Sequence, residues 1–145
     1  MLHRFSAFVG GITECYKYIQ RIKAAEMTEF GLKGTHVMCL FYLAQNPEGL
    51  TAAQLCALCQ EDKAAISRTL SELAEKGFLL PQSKKYRALL QLCPAGVQMA
   101  GQLDTLIAQW VGIGGDGLTD SQQEAFYTAL ELISSNLRGK SQEKN

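Results

Sequence analysis

Hydrophobic residues recur at spacings of three and four along most of the chain, as expected for amphipathic helices. Two long stripes of this kind lie near the ends, over about residues 4–29 and 94–138. A shorter stripe in the middle of the chain consists of Ile66, Leu70 and Leu73. Between residues 78 and 93 the apolar period becomes two, which is the period of a strand. The pattern therefore predicts a mainly helical fold with one small β-hairpin.

The ends of two central helices can be predicted from local signals. Thr51 precedes the first helix and has Gln54 three residues later, which is a capping box. Asp62 is placed to cap the second helix, because its carboxylate can accept free backbone N–H groups. Gly77 suits the position just beyond that helix. Two short helices followed by a hairpin have the order of a winged helix-turn-helix, which we place at about residues 32–93.

The second short helix is the candidate for reading DNA, and we call it the reader helix. Since its apolar stripe faces inward, the opposite face carries Lys63, Ala64, Ser67, Arg68 and Ser71. Arg68 can bind a guanine or a phosphate through two hydrogen bonds, and Ser67 can bond to either. The alternative is that these residues are the solvated side of an ordinary amphipathic helix. The elements on either side of the helix favour the DNA-binding interpretation.

The hairpin that follows has a basic tip. Phe78 and Leu80 precede Pro81, which suggests a short edge strand, and residues 86–93 form the predicted partner strand. The basic residues of the tip are Lys84, Lys85 and Arg87. Such a tip suits the phosphate backbone or the minor groove. The alternative is a solubilising turn with lysines that protect a sheet edge.

Several segments, in order and with matching spacing, resemble the MarR family of regulators (multiple antibiotic resistance regulators). Residues 50–56 and 62–68 resemble the family patterns L-T-x-x-x-L-A and D-[RK]-S-T-V-[ST]-R. Residues 73–78 match L-x-x-[KR]-G-[FL], and residues 92–96 nearly match L-T-x-x-G. Residues 31–36 resemble G-L-[ST]-x-x-[QH]. The resemblance covers nearly the whole chain as a single MarR-like domain.

The chain departs from the family pattern in three places. Its wing is about three residues shorter, with Lys84 at the usual aspartate and Tyr86 at the usual arginine. The turn before the reader helix has Gln60-Glu61 where the family has glycine and an apolar residue. Cys93 replaces the threonine that caps the next helix.

The resemblance implies a homodimer in which the terminal helices intertwine with those of a second copy. The two reader helices would bind a pseudo-palindromic site on double-stranded DNA, and the protein would act as a repressor. A small aromatic or anionic effector would alter the spacing of the reader helices. Two alternatives stay open: a monomer that buries its stripes internally, and a winged-helix module that binds protein without specific DNA binding.

Composition adds little, because 14 Lys and Arg balance 14 Asp and Glu. The excess of positive charge is local, with six basic against four acidic residues over residues 51–87. Neither a signal peptide nor a transmembrane run is evident, so we expect a cytoplasmic bacterial protein without membrane contact. The sequence contains no recognisable catalytic arrangement, and we expect no enzyme, no cofactor and no metal site.

The five cysteines raise a further alternative, a regulator that senses oxidants through a thiol. Cys15 is the candidate because its position on the first helix can be reached. Cys39 lies on an apolar stripe and is interpreted as a small core residue. Cys56 and Cys59 are small enough to sit where another helix packs closely.

Overall fold

Six α-helices account for most of the computed structural model, which describes residues 1–82, 85 and 87–143. The helices are α1 Leu2–Met27, α2 His36–Gln45, α3 Ala52–Cys59, α4 Lys63–Glu75, α5 Pro94–Gly114 and α6 Asp120–Gln142. A short 3₁₀ turn, Thr28–Phe30, follows α1. The chain divides into two units, Met1–Thr105 and Leu106–Asn145. The predicted mainly helical class is confirmed.

The predicted helix ends are confirmed where a local side chain sets them. Thr51 and Gln54 form the expected capping box, with Thr51 Oγ1 accepting from the Gln54 N–H at 3.1 Å. Asp62 caps α4, its Oδ1 accepting from the Ala65 N–H at 2.7 Å. Gly77 follows α4 with a φ of +78°, a conformation that glycine adopts without steric cost. The helix-turn-helix is therefore bounded by short-range interactions.

The core of the first unit lies where α2, α3 and α4 pack on one another. The largest fully buried apolar side chains are Met27, Leu40, Leu43, Leu55, Leu73 and Leu103. They come from five different helices, the end of α1 and the first half of α5 included. The predicted stripe of α4 is part of this core, since Ile66, Leu70 and Leu73 are all buried.

Strand pairing is shorter than the sequence predicts. Among the described residues it consists of two isolated antiparallel bridges, Leu50 with Leu90 and Leu79 with Leu92. The alternation of faces is as predicted, because Leu90 is buried whereas Leu89 is exposed. Two features limit the extended strands predicted over 78–81 and 86–93. Pro81 has no N–H to donate, and Arg87 has a φ of +58°, outside the extended region.

The second unit contains the end of α5, a turn and α6. Gly117 adopts a φ of +83° in this turn, and the Leu118 N–H donates to the Gly115 carbonyl at 3.1 Å. Thr119 and Gln122 form a second capping box at the start of α6. Within this unit α6 leaves a row of apolar side chains exposed: Phe126, Tyr127, Leu132, Ile133 and Leu137.

The start of α5 lies directly against the chain that leaves α4. The Cys93 N–H donates to the Phe78 carbonyl at 3.0 Å, and the Cys93 thiol donates to the Gly77 carbonyl at 2.9 Å. The sulfur thus links the two helix ends. Gly96 is buried here, and a Cβ at this position would collide with the Phe78 carbonyl oxygen. The absence of a side chain at Gly96 is what permits this close approach.

We expect Gly96→Ala to destabilise the protein by about 1–3 kcal/mol, because the added methyl group forces backbone apart. Gly101→Ala on the same helix is the control, since a Cβ there meets nothing within 4 Å. That change should stabilise the helix by about 0.5–1 kcal/mol. Urea denaturation of both variants measures the difference. Equal effects of the two substitutions would contradict the close approach.

Candidate nucleic-acid interface

Helix α4 is buried on one face and open on the other. Ile66, Thr69, Leu70 and Leu73 are all less than a tenth exposed. The five predicted reader residues, Lys63, Ala64, Ser67, Arg68 and Ser71, are all exposed. The Asp62 cap fixes the N-terminal end of the helix, where three of the five lie. The open face can therefore meet a ligand without any change in the packing of α4.

The first of two clefts beside α4 lies between α3, α4 and the residues that follow α4. We call it the wing cleft; its volume is about 1390 Å³. Lys63, Ser67 and Ser71 line it from α4, and Lys85 and Arg87 line it from the other side. No Asp or Glu is found among its described lining residues. The cleft thus brings together residues of the predicted reader helix and of the predicted wing, with positive charge only.

Arg68 belongs to a different surface. It lines a second cleft of about 390 Å³, which we call the α1 cleft because α1 contributes part of its wall. The charged residues that line it are Lys23, Lys33, Glu61, Arg68 and Glu72. Helix geometry explains the separation, since Ser67 and Arg68 are adjacent in sequence and so point about 100° apart around the helix axis. The predicted reader residues therefore extend over two neighbouring surfaces of α4.

The predicted wing is only partly described. Lys85 and Arg87 are exposed, and the Ala88 N–H donates to the Lys85 carbonyl at 3.2 Å, which closes a turn. The φ of +58° at Arg87 is a left-handed conformation that non-glycine residues seldom adopt. Lys84, the remaining predicted wing residue, lies outside the described residues.

Helix α4 is tied to α2 by a buried histidine. His36 is fully buried, and the backbone N–H of Lys33 donates to its Nδ1 at 3.0 Å. Nδ1 is therefore unprotonated, which places the ring hydrogen on Nε2. Nε2 then donates to Oε2 of Glu72 on α4 at 2.7 Å. The Lys33 ammonium holds the other carboxylate oxygen, Oε1, at 3.0 Å.

A second link joins the end of α4 to the segment before α2. The Lys76 ammonium donates to the Gly31 carbonyl at 2.7 Å. Neither link was predicted from the sequence, because the partners are 36 and 45 residues apart. A histidine on an otherwise apolar helix was the available signal, but it does not reveal which carboxylate lies opposite.

The remaining predicted site residue, Cys15, is exposed on α1. The described residues include no group of three or more His, Cys, Asp or Glu that could hold a metal ion. None of the described helices is both long and apolar enough to cross a membrane.

Comparison with protein families gives a match to the MarR family over residues 30–84. This range includes α2, α3, α4 and the first part of the predicted hairpin, as far as Lys84. No curated protein sequence matches the chain.

Solved structures share the fold over most of the chain. A MarR protein from Peptoclostridium difficile has a TM-score of 0.84 at 18% identity, covering 93% of this chain and 90% of its own. A MarR family transcriptional regulator from Listeria monocytogenes in complex with a 26mer DNA has a TM-score of 0.84 at 19% identity, with coverages of 91% and 89%. The MepR–DNA complex of S. aureus has a TM-score of 0.76 at 16% identity, with coverages of 87% and 93%. The winged-helix fold predicted from the sequence is confirmed.

The link between Glu72 and His36 makes stability depend on pH in a defined direction. The hydrogen bond from Lys33, and then that from His36, lower the pKa of the Glu72 carboxyl. A carboxyl with a lowered pKa stabilises the folded state at pH values above the pKa that it has in the unfolded chain, which is about 4.3. This contribution is lost as the pH falls through the folded pKa.

We therefore expect Glu72→Gln to be less stable than the wild type at pH 7, and the difference to shrink as the pH falls below about 4. Urea midpoints measured between pH 7 and pH 3 provide the comparison. Glu75→Gln, an exposed change on the same helix, is the control. A constant difference between wild type and Glu72→Gln over this range would show that the carboxylate does not carry the link.

Proposed function

We propose that the chain is a sequence-specific transcriptional regulator that binds double-stranded DNA, and its match to the MarR family over residues 30–84 supports this role. It acts by binding and not by catalysis, and it represses as a homodimer whose affinity for DNA responds to a small ligand. Two of the solved structures that share its fold are complexes with DNA. The arrangement of side chains around α4 supports the same role in this chain.

The observation that carries the proposal is the open, basic face of α4. A reader helix must have one face packed against the protein and the opposite face exposed, and α4 meets both conditions. Lys63, Ala64 and Ser67 lie near its N-terminal end, the part of such a helix that reaches base edges. Lys63 and Ser67 contact the phosphates or the bases, and Arg68 binds a guanine or a phosphate from the neighbouring surface.

The basic residues that follow α4 bind the DNA beside the bases that α4 contacts. Lys85 and Arg87 face the same wing cleft as Lys63 and Ser67, so one DNA strand can contact both groups. Their positive charges suit phosphates, which makes binding dependent on salt. Lys84 is assigned to this role from the sequence alone.

The proposed dimer explains why so many apolar side chains are exposed in a single chain. Within the first unit, α1 exposes Phe5, Val9, Ile12, Tyr16 and Ile19. Within the second unit, α6 exposes Phe126, Leu132, Ile133 and Leu137. Exposed apolar stripes of this length are typical of interfaces between subunits. A dimer would present its two reader helices to a pseudo-palindrome with half-sites one DNA turn, about 34 Å, apart.

The α1 cleft is the place where we propose that an effector binds. Its volume of about 390 Å³ suits a small molecule. Lys23 and Arg68 supply positive charge for an anionic group, whereas the Lys33 ammonium in the same cleft is paired with Glu72. Gln20 Oε1 lies in the same cleft, buried and without a hydrogen-bond partner among the described residues. A small aromatic or anionic ligand bound here would engage Arg68 and so compete with DNA for it.

We expect Arg68→Glu to lower the affinity for DNA by about a hundredfold or more, since both reader helices of a dimer lose a contact and gain a repulsive charge. Fluorescence anisotropy with the DNA upstream of its own gene, at two salt concentrations and against scrambled competitor, measures this. Arg138→Glu is the matched control, because the same charge change is made at an exposed site on α6.

The control should bind as tightly as the wild type, and the wild type should prefer its own site to the scrambled one. A wild type without this preference would exclude specific DNA recognition at this site. Selective capture of a protein partner that survives Arg68→Glu would identify the chain as a winged-helix interaction module instead.

We expect the chain to be a dimer at micromolar concentration, with twice the 15.9 kDa mass of one chain. Ile133→Asp should raise the dimer dissociation constant at least about tenfold, because it buries a charge in the interface. Ser135→Asp, which adds the same charge on the opposite side of α6, is the control. Light scattering across a concentration series distinguishes them. A wild type with the mass of one chain would exclude the dimer.

A further inference from the structure

Two cysteines from neighbouring helices face each other in the first unit. Cys39 Sγ on α2 lies 3.9 Å from Cys59 Sγ, and Cys59 is the last residue of α3. Cys39 is almost fully buried, with 1% of its surface exposed, whereas Cys59 is partly exposed. The two thiols are therefore close enough to share a hydrogen bond, and only one of them is open to reagents.

The surroundings assign different roles to the two sulfurs. Both line the α1 cleft, together with Lys23 and Glu61. The hydrogen bond from Cys39 lowers the pKa of the Cys59 thiol, although burial and the Glu61 charge oppose the shift; Lys23 adds to it. The same hydrogen bond and burial raise the pKa of Cys39. Because Cys59 is partly exposed and Cys39 is buried, Cys59 is placed to meet a reagent first and Cys39 to react with it afterwards.

We propose that Cys39 and Cys59 form an oxidation-sensitive dithiol, which a hydroperoxide converts into an intrachain disulfide between α2 and α3. The pair differs from Cys15, the residue that the sequence suggested for redox sensing. Cys15 is exposed on α1, and its role stays a prediction.

The reaction takes place in two steps. The Cys59 thiolate attacks the terminal peroxide oxygen, the O–O bond breaks, and an alcohol leaves after taking up a proton, which gives a sulfenic acid. Cys39 sulfur then attacks Cys59 sulfur, the S–S bond forms, the S–O bond breaks, and hydroxide leaves as water with the Cys39 proton. The two thiols lose two electrons in total, and the hydroperoxide gains them.

The disulfide would act on the helix-turn-helix through the position of Cys59. A disulfide bond is about 2.0 Å long, so the sulfurs must approach by about 1.9 Å. Cys59 is followed by Gln60, whose φ of +54° turns the chain toward Asp62 and α4. Movement of Cys59 toward α2 therefore acts on the turn that positions α4. This regulatory part rests on the proposed function, because it concerns the affinity for DNA.

The first experiment tests the chemistry without DNA. The reduced full-length protein is treated with cumene hydroperoxide, and free thiols are then alkylated and counted by mass spectrometry. We expect two of the five thiols to become protected, and peptide mapping to link Cys39 to Cys59. Dithiothreitol should restore all five. The matched control, Cys15→Ser, should lose the free thiols of the same two residues, Cys39 and Cys59, on oxidation.

Single variants test the two roles. Cys39→Ser should trap a sulfenic acid on Cys59, which dimedone labels, whereas Cys59→Ser should leave Cys39 unlabelled. Protection of no thiol, a disulfide between chains, or a disulfide that includes Cys15 or Cys56 would overturn the proposal.

The second experiment measures DNA affinity in both redox states. Oxidation should weaken binding at least about tenfold, dithiothreitol should restore it, and Cys59→Ser should be insensitive. An unchanged affinity of the disulfide form would overturn the regulatory part. If the reduced protein shows no selective DNA binding, the proposed function fails, and the thiol count alone decides whether the dithiol exists.

Discussion

Helix α4 is held by one face only, and the remainder of the first unit is arranged around that constraint. Ile66, Leu70 and Leu73 attach it to the core, and Glu72 attaches it to His36 of α2. The buried imidazole has both nitrogens engaged, one by a backbone N–H and one by the carboxylate. Because a buried polar group without a partner is costly, α2 and α4 must keep their positions for both bonds to form. The opposite face of α4 is then free for a ligand.

What could be predicted from the sequence follows from the range of each interaction. Helix caps such as those of Thr51 and Asp62 depend on residues three positions away, and the structure forms both. The apolar stripe of α4 depends only on helical spacing. In contrast, the contacts of His36 with Glu72 and of Cys39 with Cys59 join residues 36 and 20 positions apart. A single sequence contains no information on which distant side chains meet, so these pairs could not be predicted.

At the candidate site, too, the local properties could be predicted from the sequence and the spatial arrangement could not. Helical periodicity correctly indicated that Lys63, Ser67 and Arg68 are exposed, but it treated them as one surface. The structure places Lys63 and Ser67 in the wing cleft and Arg68 in the α1 cleft.

The length of strand pairing was overestimated for a related reason. Alternation of apolar residues predicts which side chains are buried, as at Leu90, but the length of a strand depends on backbone conformation at particular residues such as Arg87.

The turn between α3 and α4 is where these features meet. Gln60 adopts a left-handed conformation at the position where the sequence departs from the glycine of the family pattern. A left-handed conformation costs a non-glycine residue about 1–2 kcal/mol, which must be offset by neighbouring contacts. Its side chain supplies one of them, since Nε2 donates to the Ala57 carbonyl at 2.8 Å. Cys59 on one side of this residue contacts α2, and the Asp62 cap on the other begins α4. A small shift of Cys59 would therefore act on a turn with little conformational freedom, and α4 begins three residues after Gln60, at Lys63.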